Sequence, residues 1–350
     1  MIDLNTLWFI LIAVLFCGFF FLEGVDFGVG MLSKILGKND LEKRMIISTI
    51  APIWNSNEVW LLTAGGAIFA AFPGWYATMF SGLYLALFLL LVALIFRGIA
   101  IEFRNKVNNQ QWRAVWDWSI FLGSLLSPLL IAVVMANLLK GLPIDSSNEY
   151  VGNFFNLLSI PTLVAGLTAV VTFIYHGVVF LSLKLTGELK DRAQKLSKPF
   201  GLASLLLIIL SLVLVIMSTD ILSKILPTIL AIVALLSIII SLILQIKGKS
   251  GFAMIANSLL IIGGGMAFFS ALYPNVMVSN IDKTFNLTIY NVSSTPYTLK
   301  TMSFIALSLL PLLLSYIAWT YWVFRKRKTV ESIPVDVQIQ SITTADQIEY

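Results

Sequence analysis

Long apolar runs recur along this chain, each about as long as a bilayer is thick. A membrane-spanning helix needs about 20 mostly apolar residues. Hydrophobic residues make up 58% of the 350 residues and charged residues 12%, a composition that excludes an ordinary water-soluble domain. The sequence therefore predicts an all-α integral membrane protein with about nine spans. The predicted spans are residues 7–32, 54–72, 77–97, 117–138, 159–182, 201–219, 225–246, 253–273 and 301–323.

The number of spans depends on the second and sixth runs. The second carries Asn55, Asn57 and Glu58, and only a short turn separates the sixth run from the seventh, so counts of eight or ten stay open. The first run has no basic segment before it and is longer than a signal-peptide core, so we expect a retained span. Residues 1–324 are predicted to form a single transmembrane domain and residues 325–350 a polar cytoplasmic tail.

The distribution of Lys and Arg predicts the orientation in the membrane. Cytoplasmic loops collect these residues, whereas exported loops do not. Of the 23 Lys and Arg residues, all but four fall in one alternating set of loops, and the exceptions are Lys140, Lys224, Lys283 and Lys300. The net charge of +5 thus reflects topology and not a nucleic-acid-binding face. The N-terminus is predicted to lie outside and the C-terminus in the cytoplasm.

Two carboxylates interrupt the first apolar run. Glu23 and Asp26 are three residues apart, which places both on one face of a helix. Gly24, Gly28 and Gly30 surround them, and small residues allow a neighbouring helix to approach closely. An ionisable side chain at membrane depth is by default a functional candidate, and these two suit a proton relay. The structural alternative is a partly hydrated pair that only stabilises helix packing.

Polar residues also lie near the ends of other predicted spans. Asn55 and Glu58 lie one turn apart at the start of the second span, near Trp54 and Trp60, and could form a simple interfacial cap. Arg97 either snorkels to the membrane surface or serves as a counter-charge for carboxylates such as Asp26 or Glu58. Two further interpretations are simpler, with Asp117 a cap of the fourth span and Tyr321 an interfacial anchor.

Few side chains of this chain could hold a metal or a haem. His176 is its only histidine and Cys17 its only cysteine. Haem iron is held by His, Met, Cys or Tyr, and a multi-haem membrane protein normally has several His and Met at facing depths. A lone histidine on an apolar face is more often a hydrogen-bonded core residue than a ligand. We therefore expect no metal site and no directly bound cofactor here.

Four stretches of the chain, taken in order, resemble subunit II of the cytochrome bd-type quinol oxidases. Each alone is moderate evidence, but together and at this spacing they are specific. They are residues 23–32 (EGVDFGVGML), residues 51–73 including WLLTAGGA and FAAFP, residues 97–104 followed by WRAVWDW at 112–118, and residues 295–325 with YIAWTYW. Asp26 matches the family's first-span aspartate, and Trp54 and Trp60 match its second-span tryptophans. Arg97 matches the third-span arginine.

The resemblance implies a subunit of a terminal quinol oxidase in the bacterial plasma membrane. It implies two four-helix bundles plus one peripheral helix, paired with a haem-bearing subunit I that carries two haems b and one haem d. Subunit I oxidises quinol near the outer face and reduces dioxygen to water with cytoplasmic protons, so no catalytic residue is expected in this chain. Some members have an oxygen channel, here expected beside Trp60, a structural quinone or small single-span subunits.

One position departs from the family pattern. The family commonly has an aspartate where this chain has Asn55, and an amide cannot bind and release a proton near neutral pH. A proton path or haem-interface support would then involve Asp26, Glu23, Trp54, Glu58 and Arg97, or protons would enter through subunit I.

A second class of protein, a secondary transporter, stays open because glycine runs at residues 65–66 and 263–265 could mark unwound helices.

Overall fold

The computed structural model describes residues 3–219 and 221–329, and within them the chain is almost entirely helical. One short antiparallel strand pair, β1 (Asn275–Met277) with β2 (Leu287–Thr288), lies in the connection before the last helix. The described helices are α1 (Leu4–Leu36), α2 (Asp40–Ile47), α3 (Trp54–Ala71), α4 (Pro73–Gly82), α5 (Tyr84–Phe103), α6 (Gln110–Lys140), α7 (Ile160–Lys184), α8 (Gly187–Ser218), α9 (Ile225–Ile246), α10 (Ser250–Leu272) and α11 (Pro296–Val323).

Eight of the described helices are long and apolar enough to cross a membrane. They correspond to eight of the nine predicted spans. The second predicted span forms α3, which falls short of this apolarity because polar residues fill its first two turns. The integral membrane, all-α prediction is thus confirmed. Eight helices meet the span criterion by composition, with α3 as a ninth, less apolar helix of the bundle.

Several helices extend beyond their predicted spans, because a helix does not end where apolarity ends. The third predicted span begins inside α4, a separate helix that starts at Pro73, and the spanning helix α5 begins only at Tyr84. The fourth predicted span, residues 117–138, lies inside α6, which begins earlier, at Gln110. The Asn109 side chain caps the first turn of α6. α8 starts at Gly187, 14 residues before the predicted span, because its polar turns continue the helix outward.

Contacts between the helices divide them into two bundles and one peripheral helix. α1, α3, α5 and α6 form the first bundle, and α7, α8, α9 and α10 form the second. α1 and α7 join the bundles, and 61% of the most apolar window of each is buried. Only 6% of the corresponding window of α11 is buried. The predicted architecture of two four-helix bundles plus one peripheral helix is confirmed.

Glycines on α1 allow the two bundles to meet at backbone distance. A Cβ atom at Gly28 would collide with the backbone of Phe173 and Gly177 on α7. Gly24 lies against the Phe173 ring, and Gly30 lies against Ser124 of α6. The predicted close approach of helices around Glu23 and Asp26 is therefore confirmed, since this face of α1 is buried in protein.

The glycine runs that suggested a transporter do not unwind the helices. Residues 65–66 lie inside α3 and residues 263–265 inside α10, and both helices continue through them. The interpretation of these runs as broken segments was wrong. Gly66 is instead exposed on α3, and Gly264 lines an apolar space between α10 and its neighbouring helices; a Cβ atom at either would have nothing within 4 Å.

Candidate functional site

A buried charged group lies between α1, α3 and α5 in the first bundle. Glu23, Asp26 and Arg97 have no solvent-exposed surface. Arg97 forms an ion pair with Glu23 and a second one with Glu58, whose Oε2 lies 3.0 Å from Nη2 of Arg97. Its guanidinium carbon lies 4.9 Å from the centre of the Phe27 ring. Arg97 therefore does not snorkel, and the counter-charge alternative describes its position.

Asp26 belongs to a hydrogen-bonded chain that reaches the peripheral helix. The side-chain amide of Asn57 donates to Oδ2 of Asp26 at 2.8 Å, and the hydroxyl of Tyr321 donates to Oδ1 of Asn57 at 3.0 Å. Asn57 is fully buried. The interpretation of Tyr321 as an interfacial anchor was wrong, because its hydroxyl points at this group. We call Glu23, Asp26, Asn57, Glu58 and Arg97 the central cluster.

The two asparagines of α3 take opposite positions. Asn57 is the buried partner of Asp26, although sequence reasoning assigned it no role of its own. Asn55 lies on the exposed face of α3, and its side chain makes no hydrogen bond with other described residues. Of the residues selected from the sequence, Glu23, Asp26, Glu58 and Arg97 do meet. Asn55 lies outside that group.

The two tryptophans of α3 lie beside the central cluster and do not enter it. Trp54 packs its ring over Gly98 of α5, and its Nε1 donates to Oε1 of Glu102 at 3.2 Å. Trp60 is buried with its ring pressed against Gly18 of α1. Both rings therefore fix how α3 packs, Trp54 against α5 and Trp60 against α1.

The central cluster has more negative than positive groups and is not fully hydrogen-bonded. Glu23 and Glu58 pair with the one guanidinium, and Asp26 adds a third carboxylate, which leaves an excess of acid in a largely buried place. Among the described residues, Oε2 of Glu23, Oδ1 of Asp26, and Nε and Nη1 of Arg97 have no hydrogen-bond partner. Buried polar atoms normally have a protein or water partner. The central cluster can therefore bind a proton or a water molecule. A structural ion pair whose charges and hydrogen bonds are all matched has no need of either.

A second ion network joins the short helix α2 to the end of α5 and to α6. Arg104 donates to Asp117 at 2.5 Å and to Asp40 at 2.8 Å. Asp40 also accepts from Arg44 at 2.6 Å, and Lys43 pairs with Asp117 at 2.9 Å. Asp117 is thus not a helix cap, as the sequence had suggested, because α6 begins two turns earlier. We call these five residues the end network.

The charges of the end network compensate one another. Burial alone would raise the pKa of the Asp40 carboxyl, but the guanidinium groups of Arg104 and Arg44 outweigh burial and lower that pKa below its usual range. Burial opposes the charged form of Arg104 as well, while Asp117 and Asp40 raise its pKa. Each carboxylate here has at least two basic partners, as expected of a structural site.

The only histidine of the chain is a hydrogen-bonded core residue. His176 is fully buried, with Nε2 3.1 Å from the carbonyl oxygen of Phe21 and Nδ1 2.7 Å from the side-chain amide nitrogen of Asn257. Both ring nitrogens are therefore engaged and neither is directed at an open position. Within the described ranges, no group of three or more His, Cys, Asp or Glu side chains could hold a metal ion.

An apolar cavity of about 350 Å³ lies away from the central cluster. It is bounded by residues of α6 to α10 together with Phe20 of α1. Met135, Phe173 and Phe268 are among its apolar lining residues, and Lys140 lies at its edge. Trp60 does not line it, so the tryptophan selected from the sequence and the cavity are separate features.

Fold and site together define a helical integral membrane protein with a buried acidic cluster in its first bundle. The family model for cytochrome bd terminal oxidase subunit II matches residues 4–324. The chain belongs to this family. It is accordingly a multi-pass membrane subunit of a terminal quinol oxidase of the respiratory chain and has a subunit I as its partner.

Individual relatives agree with this assignment over nearly their full lengths. The chain is 42% identical over 331 residues to cytochrome bd ubiquinol oxidase subunit 2 of Bacillus subtilis, covering 93% of this chain and 97% of that protein. It is 36% identical over 371 aligned positions to cytochrome bd-I ubiquinol oxidase subunit 2 of Escherichia coli K12, covering 94% and 96%. A chain from the structure of the bd oxidase of Geobacillus thermodenitrificans has the same fold, with a TM-score of 0.75 at 19% identity, covering 92% of this chain and 98% of that one.

Proposed function

We propose that this chain is the haem-free half of the oxidase and supports a subunit I that carries two haems b and one haem d. The observation that carries this proposal is the position of His176, which hydrogen bonds occupy at both ring nitrogens. Subunit I would then oxidise quinol and reduce dioxygen to water, while this chain holds its surroundings in place.

Replacing His176 in the purified complex tests whether it is an axial ligand. His176→Leu should leave the haem-to-protein ratio and the optical spectrum unchanged. Asn257→Leu is the matched control, because it removes the same hydrogen bond and keeps the imidazole. Loss of one haem signal in His176→Leu with full haem in Asn257→Leu would show that this chain ligates haem, and the proposal would fail.

We also propose that subunit I docks on the face formed by α3, α5 and α11. The exposed residues of α3 lie along one side of the helix. They are Asn55, Val59, Leu62, Thr63, Gly66 and Phe69. α11 is largely exposed beside them, and Gly66 leaves room for a partner helix. On this surface Asn55 would face the partner subunit.

Two exposed glycines on different faces test this docking surface. Gly66→Leu should reduce the yield of assembled complex, because the new side chain would occupy the space of a partner helix. Gly264→Leu places the same side chain on α10, where a Cβ atom also has nothing within 4 Å. Equal assembly of both variants would place subunit I elsewhere.

We propose further that the central cluster delivers protons toward subunit I. Glu58 is the partly exposed member, with 20% of its side-chain surface accessible, and Arg97 connects it to the buried Glu23. The excess of carboxylates supports proton uptake, since neighbouring like charges disfavour full ionisation. Asn55→Asp adds an acid outside this group and should leave turnover unchanged if Glu58 is the entry. A faster turnover in that variant would favour a path through position 55.

Oxygen access and a structural quinone are separate proposals for the apolar regions. The cavity of about 350 Å³ suits dioxygen or an isoprenoid tail, whereas the surroundings of Trp60 are tightly packed. Ala165→Phe narrows the cavity, and Trp60→Phe loosens the contact with Gly18. Whichever residue lies on the oxygen route should change the KM for dioxygen. No change with either variant would place oxygen entry in subunit I.

The orientation also belongs to the proposal. The distribution of basic residues supports an outside N-terminus and a cytoplasmic C-terminus in a bacterial plasma membrane. Cysteines introduced at Lys283 and at Lys195 should react with an impermeant thiol reagent from opposite sides of intact cells. Labelling of Lys195→Cys from outside would reverse this topology. Whether small single-span subunits attach can be read from the composition of the purified complex.

A further inference from the structure

A basic recess lies at one end of the second bundle, where three chain segments converge. The end of α7 with the start of α8, the turn between α9 and α10 with the start of α10, and the residues after α11 surround a volume of about 550 Å³. Lys190, Lys249 and Arg327 line it from three different segments. Among the described residues that line it, none is acidic. These cations are brought together by the fold, since they are far apart in the sequence.

Backbone hydrogen bonds hold the segment that carries Arg327, the third basic residue of the recess, against the second bundle. The segment after α11 pairs with the end of α7, where the amide of Lys328 donates to the carbonyl oxygen of Lys184 at 2.7 Å. Thr186 donates to the carbonyl oxygen of Lys328 at 3.2 Å. The first residues of the predicted tail, up to Thr329, therefore lie against the bundle, and residues 330–350 lie outside the described part of the chain. Arg327 belongs to this docked segment and lines the recess together with the first residues of α10.

The backbone of the recess adds further positive potential. α10 starts at Ser250, and no side chain caps its first turn. The first amide groups of a 23-residue helix, which carry the positive end of its dipole, therefore lie beside three cationic side chains. Gly248 has a φ of +72°, which turns the chain sharply into this helix. Side-chain and backbone donors thus converge on one volume that fits an anion.

Apolar side chains beside the recess indicate where the anion comes from. Phe252 and Ile255 line it and are 66% and 60% exposed. Exposing such apolar surfaces to water is unfavourable, whereas contact with the acyl chains of the bilayer is favourable. Basic pockets between membrane helices at the headgroup level are a recurring way to bind anionic lipid headgroups.

We propose that this recess binds an anionic glycerophospholipid, with the headgroup phosphate held by Lys190, Lys249 and Arg327. The first amides of α10 donate to the same phosphate, and the acyl chains lie along Phe252 and Ile255. The site is independent of the oxidase chemistry and of the central cluster. A lipid bound there fastens the segment after α11 to the second bundle.

The test uses the assembled complex and a pair of matched triple variants. Lys190→Gln, Lys249→Gln and Arg327→Gln remove the cations of the recess. Lys195→Gln, Lys247→Gln and Lys326→Gln remove the same charge from the same three segments at residues that do not line it. Native mass spectrometry with phosphatidylglycerol or cardiolipin measures lipid retention. Because each basic residue contributes about 1 kcal/mol near an anionic lipid, the first triple variant should bind about 100-fold more weakly and the control like the parent.

Two further measurements keep the result interpretable. Haem content reports whether the variants assemble, and the parent complex alone should select phosphatidylglycerol over phosphatidylethanolamine. Inorganic phosphate should not raise the melting temperature of the delipidated parent complex, whereas the anionic lipid should. Equal lipid retention by the two triple variants would overturn the proposal, as would equal stabilisation by inorganic phosphate, which would assign the recess to a soluble anion.

Discussion

The central cluster and the end network are both built from carboxylates and guanidinium groups, yet they differ in charge balance and in hydrogen bonding. In the end network, two aspartates are matched by three basic residues, and Arg104 donates to both carboxylates. In the central cluster, Glu23 and Glu58 pair with Arg97, whereas Asp26 accepts a hydrogen bond from Asn57. The end network lies around the short helix α2, whereas the central cluster lies within α1, α3 and α5 of the first bundle.

This difference separates a structural role from a functional one. A buried ion pair costs several kcal/mol of desolvation and is retained only with good geometry or for a function. The end network has that geometry and joins α2 to α5 and α6. The central cluster has an excess of acid and unpartnered polar atoms next to the same bundle. We therefore expect mutations in the end network to change stability and mutations in the central cluster to change turnover.

The largest effect should follow removal of Arg97. Arg97→Gln removes the cation beside the buried Glu23 and Asp26 and the partly exposed Glu58, and breaking a buried pair in this way costs about 3–5 kcal/mol. We expect loss of both assembled complex and quinol-driven oxygen consumption. Arg97→Lys retains the charge and should recover part of the assembly. Normal assembly of Arg97→Gln would mean that the cluster is already neutral without its cation.

The next largest effect should be a loss of stability in Arg104→Gln, with the rate of oxygen consumption unchanged. Arg104→Gln removes the residue that joins Asp40 and Asp117, at a cost of about 3 kcal/mol for a nearly buried pair. The melting temperature of the complex should fall. Oxygen consumption per haem should stay unchanged at a temperature where the complex is intact. Reduced turnover per haem would break the distinction between the two regions.

Asp26→Asn should have a smaller energetic effect, and we expect that effect on the turnover rate and not on stability. The amide keeps the shape and a hydrogen bond with Asn57 but cannot carry a proton. We expect at least a tenfold slower oxygen consumption, which corresponds to about 1.4 kcal/mol in the barrier, with haem content retained. Asp117→Asn is the matched control in the end network. Equal turnover of the two variants would remove Asp26 from the proton route.

The smallest expected effect is the acid sensitivity of the end network. The pKa of Asp40 is lowered in the folded protein, so its ion pairs stabilise the fold at neutral pH. That stabilisation is lost as pH falls from the unfolded value of about 4 through the lower folded-state pKa. Because Asp40 is partly exposed, the contribution is at most about 1 kcal/mol. Melting curves of Asp40→Asn and parent should converge below about pH 4, and a constant gap down to pH 3 would contradict this assignment.

Sequence patterns located the members of the central cluster that stand out from an apolar background. Glu23 and Asp26 interrupt a long hydrophobic run, and Arg97 ends another, so membrane energetics alone selects them. Asn57 was not selected because the sequence alone does not predict which side of α3 packs against α1. Tyr321 lies 264 residues from Asn57 in the chain, and no local pattern predicts that contact.

The end network escaped prediction for a similar reason. Its basic residues were assigned to topology, which explains why they lie at one end of the bundle but not which aspartates they meet. The contact of Arg104 with Asp40 crosses 64 positions and depends on the placement of α2. The bundle architecture, by contrast, followed from the resemblance to the family, and the apolar runs located eight spanning helices.

Infrared difference spectroscopy of the assembled complex tests the central claim most directly, because it detects protonated carboxyl groups during reduction and reoxidation. The account predicts a carboxyl band that is altered in Glu23→Gln or Asp26→Asn and unchanged in Asp117→Asn. A spectrum that is identical in all three variants and the parent would contradict proton exchange at the central cluster.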